Sequence, residues 1–320
     1  MRTLSRVAVV VASVLLASPA RPSFAEPDPA AARAELVAKV LSGPSDVRKA
    51  AIRQLLTDDK DGEGVKAVAG TLAVLEKEKD ASAEIEVVRA LGRPGLVGAV
   101  PGLCSVLDSK DELVRGNTAV SLEYVGDASA VAALLARLDR EKSEIVLCHV
   151  LRALGRCGKG DAKVRTVLDK RVTSSKNEAV SCAAVVGLAN FAGDGAAART
   201  MEDQLQKVGP PAFGRRGGGG ENSLKRSYLA WGIAVVGDKK SGPFVREKLM
   251  KPLGHVVGGP LVDGVFAFYT AVAEVCEGKA DSMAAVEGGV RTVLGMYGNP
   301  LADECRKGRG DAGYTPLAEW

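Results

Sequence analysis

Apolar residues recur at intervals of three and four along most of this chain, which is the pattern of helices that bury one face. Four glycines that end such runs, Gly95, Gly126, Gly158 and Gly193, are separated by 31, 32 and 35 residues. A recurrence of about 20 to 50 residues is typical of a solenoid, because one unit cannot bury its apolar face without its neighbours. The pattern therefore predicts a series of stacked helical units.

The predicted helices come in pairs, and no alternation of apolar and polar residues persists long enough for a strand. Aromatic residues make up only 4% of the chain, which favours helices that pack closely over a sheet. The fold class predicted is all-α, an α-solenoid of stacked antiparallel helix pairs. The first five pairs are expected at 34–42 with 47–56, 65–78 with 83–91, 96–107 with 112–125, 128–138 with 143–154, and 162–172 with 177–191.

One unit carries a nearly complete repeat pattern, with weaker copies on both sides of it. Its matching residues are Asp111, Glu112, Leu113, Val114, Arg115, Ala119, Leu122, Gly126, Asp127, Ala130, Val131, Leu134 and Leu138. This pattern resembles the HEAT repeats, in particular the short bacterial HEAT-like repeats first described in phycobilin lyases, over about residues 84–206. The resemblance implies a HEAT-like superhelix whose second helices line a concave surface that holds a protein or peptide. It implies no particular reaction.

The chain is expected to divide into three parts. Residues 1–25 have Arg2 and Arg6, a short apolar run and small residues before Ala25, which indicates a signal peptide cleaved after Ala25. The alternative, a membrane anchor, would need a run of about 20 apolar residues. Residues 26–298 form the solenoid, and residues 299–320 a polar C-terminal tail. A secreted or periplasmic protein is expected, with no integral membrane segment after cleavage.

Cleavage would leave 40 of the 43 Lys and Arg residues against 39 Asp and Glu. Affinity for phosphate needs a concentrated basic field, so this balance argues against a nucleic-acid partner.

A glycine-rich insertion at 209–223 interrupts the repeat pattern. It contains Phe213, Arg215 and Arg216 before four consecutive glycines. Insertions in repeats usually map to surface loops, which is one interpretation. The other is that the phenylalanine and the two arginines contact an anionic or polar partner.

Six cysteines, including Cys148, Cys182, Cys276 and Cys305, allow fifteen disulfide connectivities. Cys148 and Cys182 are 34 residues apart, about one repeat, and Cys276 with Cys305 would tie down the tail. Buried free thiols, which pack as small hydrophobic groups, are the alternative.

Catalytic signatures are scarce, since the chain has two histidines and no C-x-x-C, H-E-x-x-H or G-x-S-x-G string. His149 is expected at a surface or interface rather than as a ligand. The aromatic cluster at 265–269 suits a core end-cap or a ligand pocket. No catalytic residue, metal or cofactor is predicted.

These observations favour an exported, non-enzymatic scaffold that binds a protein or peptide along its concave face. Two alternatives are a lyase or isomerase acting on a tetrapyrrole or other small ligand, and a structural envelope spacer. The candidate partner-binding residues are Arg48, Arg89, Glu112, Arg115, Glu144 and Glu178, together with Phe213, Arg215 and Arg216.

Overall fold

The computed structural model of the protein describes residues 28–57, 59, 62–208, 223–251 and 260–289, and these contain helices and no strand. The first eight α-helices are α1 (Pro29–Ser42), α2 (Ser45–Thr57), α3 (Glu63–Glu78), α4 (Ala81–Leu91), α5 (Val100–Ser105), α6 (Glu112–Val125), α7 (Val131–Arg140) and α8 (Glu144–Cys157). They are followed by α9 (Ala162–Ser174), α10 (Glu178–Leu188), α11 (Gly195–Val208), α12 (Ser223–Val236), α13 (Ser241–Val245), α14 (Pro260–Cys276) and α15 (283–289).

Short polar side chains cap the N-termini of most of the second helices. Asp80 accepts the amide hydrogen of Ala83 at the start of α4, and Asp111 accepts that of Leu113 at the start of α6. Ser143 caps α8 in the same way. Such caps satisfy amides that have no partner inside the helix, so they define where each helix starts.

Turn glycines end these helices, with one difference from the predicted pattern. Gly95, Gly126 and Gly193 adopt left-handed backbone angles, with φ of 76°, 71° and 75°. Gly158 does not, since its φ is −94°, and Gly160 two residues later takes the left-handed position with φ of 85°. The turn after α8 is closed by a hydrogen bond from the amide of residue 161 to Gly158, which moves the reversal to Gly160.

The helices form two layers. Helices α1, α3, α5, α7, α9, α11 and α13 make the first-helix layer, and helices α2, α4, α6, α8, α10, α12 and α14 make the second-helix layer, with successive second helices packed side by side. The predicted solenoid of stacked helix pairs is confirmed. Two first helices are shorter than expected, because 3₁₀ turns at Val97–Ala99 and Ala128–Ala130 precede α5 and α7.

The second helices approach most closely in the middle of the array. A Cβ added at Gly155 of α8 would lie 2.3 Å from the Cα of Gly187 in α10. The thiol of Cys157 donates to the Leu122 carbonyl of α6 at 3.3 Å. Helices α6, α8 and α10 therefore pack extensively against one another, whereas α7 and α9 share few contacts.

We expect Gly155→Ala to destabilise the protein by roughly 1 to 3 kcal/mol, because the new methyl group overpacks the α8–α10 contact. Gly70→Ala in α3 is the control, since a Cβ there meets no atom within 4 Å. Better helix propensity should leave that control equal to wild type or up to about 1 kcal/mol more stable. Urea-unfolding midpoints measure both changes, and equal midpoints would show that the backbones do not touch.

Candidate partner-binding site

Arg48, the first of the predicted partner-binding residues, is buried and joins two helix pairs. Its Nε donates to the Val40 carbonyl at 2.9 Å, and its Nη1 lies 3.2 Å from Glu86 Oε2. A second carboxylate, that of Asp80, is 3.7 Å away. Arg48 therefore connects α1 and α2 to α4.

Arg115 makes the most complete of these connections. Its Nε and Nη2 donate to the two carboxylate oxygens of Glu141, at 2.9 and 3.1 Å, and its Nη1 donates to the Ser109 carbonyl at 3.0 Å. The Glu141 side chain is 1% exposed. Burial alone would raise the pKa of Glu141, but the hydrogen bonds from Arg115 and from the Ser143 amide lower it below its ordinary value. Arg115 thereby fixes the segment before α8 onto α6.

Arg89 and Glu178 also bridge neighbouring second helices. The Nε of Arg89 on α4 donates to Asn117 Oδ1 of α6 at 2.9 Å, although Arg89 stays exposed. Glu178 Oε1 accepts the backbone amide hydrogen of Lys225 at 3.0 Å, which joins α10 to α12. All four charged residues therefore take part in the stacking of the repeats.

Glu112 and Glu144 occupy equivalent places in the first turns of α6 and α8 and are exposed. Within the described residues neither makes an ion pair. Phe213, Arg215 and Arg216 lie outside the described residues. A direct role in partner binding stays a prediction for all nine residues.

Apolar side chains lie between these charges on the outer face of the second-helix layer. Leu113, Val120 and Tyr124 are spaced by seven and four residues, which puts them on one face of α6. Ile145 occupies on α8 the place that Leu113 has on α6. Leu113, Val120 and Ile145 are half-buried without joining the main core, and Tyr124 is 46% exposed. We call these four residues the outer strip.

Exposed charged residues lie at both edges of the outer strip. Glu112 and Glu144 lie at the N-terminal ends of α6 and α8, where carboxylates also complement the helix dipole. Arg93 follows α4 and Arg156 lies near the end of α8, and both are exposed. Between the edges, Arg152 Nη2 of α8 donates to Glu123 Oε1 of α6 at 2.8 Å. The outer strip thus lies between exposed glutamates, which have Lys110 and Lys142 beside them, and two exposed arginines.

The outer strip ends at α8. On α10 the residues equivalent to Leu113 and Val120 are Ala179, which packs against the core, and Val186, which is 3% exposed. On α12 the residue equivalent to Val120 is Trp231, which is also 3% exposed. Sequence reasoning named the charged residues and missed the apolar ones. The available signal was the recurrence of an aliphatic residue directly after the first-turn glutamate, at Leu113 and Ile145.

The part of the chain that holds the outer strip matches the family model for HEAT repeats, over residues 68–155. Residues 68–155 are HEAT repeats. The chain is also similar to a solved structure, the complex of CpcE and CpcF of phycocyanin lyase from Nostoc sp. PCC7120. The two are 20% identical, the match covers 86% of this chain and 100% of that chain, and the TM-score is 0.44. A comparison with curated proteins found no match.

The helices of the described region bury several potentially reactive side chains. His149 is 2% exposed rather than at the surface, and burial, with the nearby charge of Arg152, lowers its pKa to about 3. Cys148 and Cys182 are buried thiols that form no disulfide within the described residues, and burial raises the pKa of Cys157 to about 12. Cys305 lies outside the described residues. In the described part of the chain, no three His, Cys, Asp or Glu side chains are placed to hold a metal ion.

The aromatic cluster on α14 divides between core and surface. Phe268 and Tyr269 are buried, at 6% and 2% exposure, while Phe266 is 41% exposed. The first two therefore belong to the core, as the end-cap interpretation predicts. Among the described helices, none has the length and apolar character needed to cross a membrane.

We expect Arg115→Leu to destabilise the HEAT repeats by roughly 1.5 to 3 kcal/mol, because it removes charged hydrogen bonds from a buried carboxylate. Arg140→Leu is the control, since the ion pair of Arg140 with Asp108 is more than half exposed on both sides and worth less than about 1 kcal/mol. Urea unfolding of both variants at neutral pH measures the difference.

The Arg115–Glu141 pair also predicts that the stability of the protein changes with pH in the acid range. The folded pKa of Glu141 is depressed, so its contribution is present above its ordinary pKa and is lost as pH falls through the folded value. The stability gap between wild type and Arg115→Leu should shrink in that direction. A gap that stays constant on acidification would contradict the assigned role of Glu141.

Proposed function

We propose that the protein is an exported, non-enzymatic scaffold whose HEAT repeats bind a segment of another protein across the outer strip. The observation that carries this proposal is the outer strip itself, an apolar face on α6 and α8 whose side chains do not join the main core. Interfaces commonly place an apolar centre inside a polar rim, and a few central aromatic or aliphatic residues supply most of the affinity.

The charges at the edges define the kind of partner. A segment that fits has an apolar face, basic residues towards Glu112 and Glu144, and acidic residues towards Arg93 and Arg156. Such charges set approach and orientation more than affinity. Arg89 and Arg115, which the sequence placed at the interface, act mainly by stacking the repeats, which holds α4, α6 and α8 in register beneath the partner.

The partner is tested with a photo-crosslinking amino acid placed at Tyr124 in the organism that makes the protein. The matched control is the same substitution at Val74, an apolar residue that is 39% exposed on α3 in the first-helix layer. We expect one discrete crosslinked protein from position 124 and none from position 74. Leu113→Glu together with Ile145→Glu should reduce the crosslink by about tenfold or more, since both changes put charge into the apolar centre.

Two results would overturn the proposed partner site. Identical crosslinks from positions 124 and 74 would show that the outer strip has no preference over the opposite layer. A change in visible absorbance on mixing the purified chain with a bilin, with no crosslinked protein, would favour the tetrapyrrole alternative.

Export is tested separately, because residues 1–25 lie outside the described part of the chain. We expect the chain isolated from the exported fraction of its native cells to begin at Glu26, since small residues precede the expected cleavage site. Mass spectrometry of the N-terminal peptide measures this. A chain found only inside the cell with residues 1–25 attached would contradict export and leave the partner site unaffected.

A further inference from the structure

Glu84, in the first turn of α4, is a buried acid with no apparent structural role. It is 2% exposed, and its Oε1 has no hydrogen-bond partner within the described residues. A buried carboxyl oxygen without a hydrogen-bond partner is costly, and the cost is larger when the group is ionised. The core at this point therefore favours the neutral acid.

The helices packed around α4 increase this preference. From α3 comes Glu76, from the turn before α4 comes Asp80, and from the cap of α6 comes Asp111, all of which are acids. From α2 comes Arg48, whose guanidinium lies 3.7 Å from Asp80. Burial is the largest cause, and the three neighbouring carboxylates add to it, so that the pKa of Glu84 is raised to about 7.

Two of the neighbouring acids cannot move away without cost. Asp80 accepts the amide hydrogen of Ala83 at 3.0 Å, and Asp111 accepts that of Leu113 at 2.8 Å. Each of these bonds caps the helix that follows. When Glu84 loses its proton, its new charge is therefore best relieved by movement of the α4 turn on which it lies.

We propose that Glu84 is a proton-operated switch between the second and third helix pairs. With its proton, the side chain packs in the core and α4 is closed. When the proton passes to solvent water, the carboxylate leaves the core and the first turn of α4 opens. The switch does not depend on the proposed partner, because it concerns the fold of α4 alone.

The direction of the pH dependence follows from the raised pKa. A folded state that holds a proton more tightly than the unfolded chain has its full stabilisation below the ordinary value of 4.5, and loses it as pH rises through the folded value near 7. Applied to opening of α4, a shift from 4.5 to about 7 increases the opening constant about tenfold between about pH 6 and about pH 8.

Hydrogen exchange of the full chain at these two pH values tests the switch, after correction for the intrinsic pH dependence of exchange. We expect about tenfold more opening for the amides of α4 at the higher pH in wild type. Glu84→Gln, which keeps the shape of the protonated acid, should show no such step. The control Glu247→Gln changes an exposed glutamate that follows α13 and should keep the step.

Carbon-13 NMR of the glutamate carboxyl groups supplies a second measurement. The resonance absent from the Glu84→Gln spectrum should titrate near pH 7 in wild type. Titration in the ordinary range, or an equal step in both variants, would overturn the proposal. So would loss of the step on adding Ca²⁺, which would make the carboxylates a cation site. If Glu84→Gln does not fold, hydrogen exchange of the wild-type protein is the deciding measurement. Opening of α4 that does not change with pH would then reject the switch.

Discussion

The close approach of the second helices is the constraint on which this architecture depends. Gly155 and Gly187 bring α8 and α10 nearly into backbone contact, and any side chain at either position would force the helices apart. Helices α6 and α8 lie side by side in the second-helix layer, so that residues on their outer faces form one surface.

Polar bonds between the pairs then fix the register of the stack. Apolar contacts between smooth helix faces permit sliding, whereas the fork of Arg115 on Glu141 and the capping of residues 142 and 143 by the same carboxylate permit one arrangement. Arg48 with Glu86 and Arg152 with Glu123 do the same at other junctions. Charged residues in this array therefore hold neighbouring helices together, as the buried leucines do.

A framework of this kind leaves few positions for function, and those positions differ in character. The outer strip is apolar and open, and its chemistry suits recognition. Glu84 is closed within the core, where its only available chemistry is the gain or loss of a proton. Both lie within the matched HEAT repeats. Helix α4 carries Glu84 and packs against α6, which carries part of the outer strip. Arg89, on the same helix as Glu84, donates a hydrogen bond to Asn117 of α6.

Local interactions explain what the sequence by itself determined. Helical periodicity links residues three or four apart, and capping by Asp111 or Ser143 links residues two or three apart. A turn glycine affects the backbone at its own position. The all-α class, the helix pairs and most of their boundaries could therefore be predicted. The outer strip and the role of the arginines could not. Arg115 and Glu141 are 26 residues apart, and only the stacking of α6 and α8 decides that they meet. Tertiary structure alone determines which face stays open, because exposure depends on the neighbours a helix acquires.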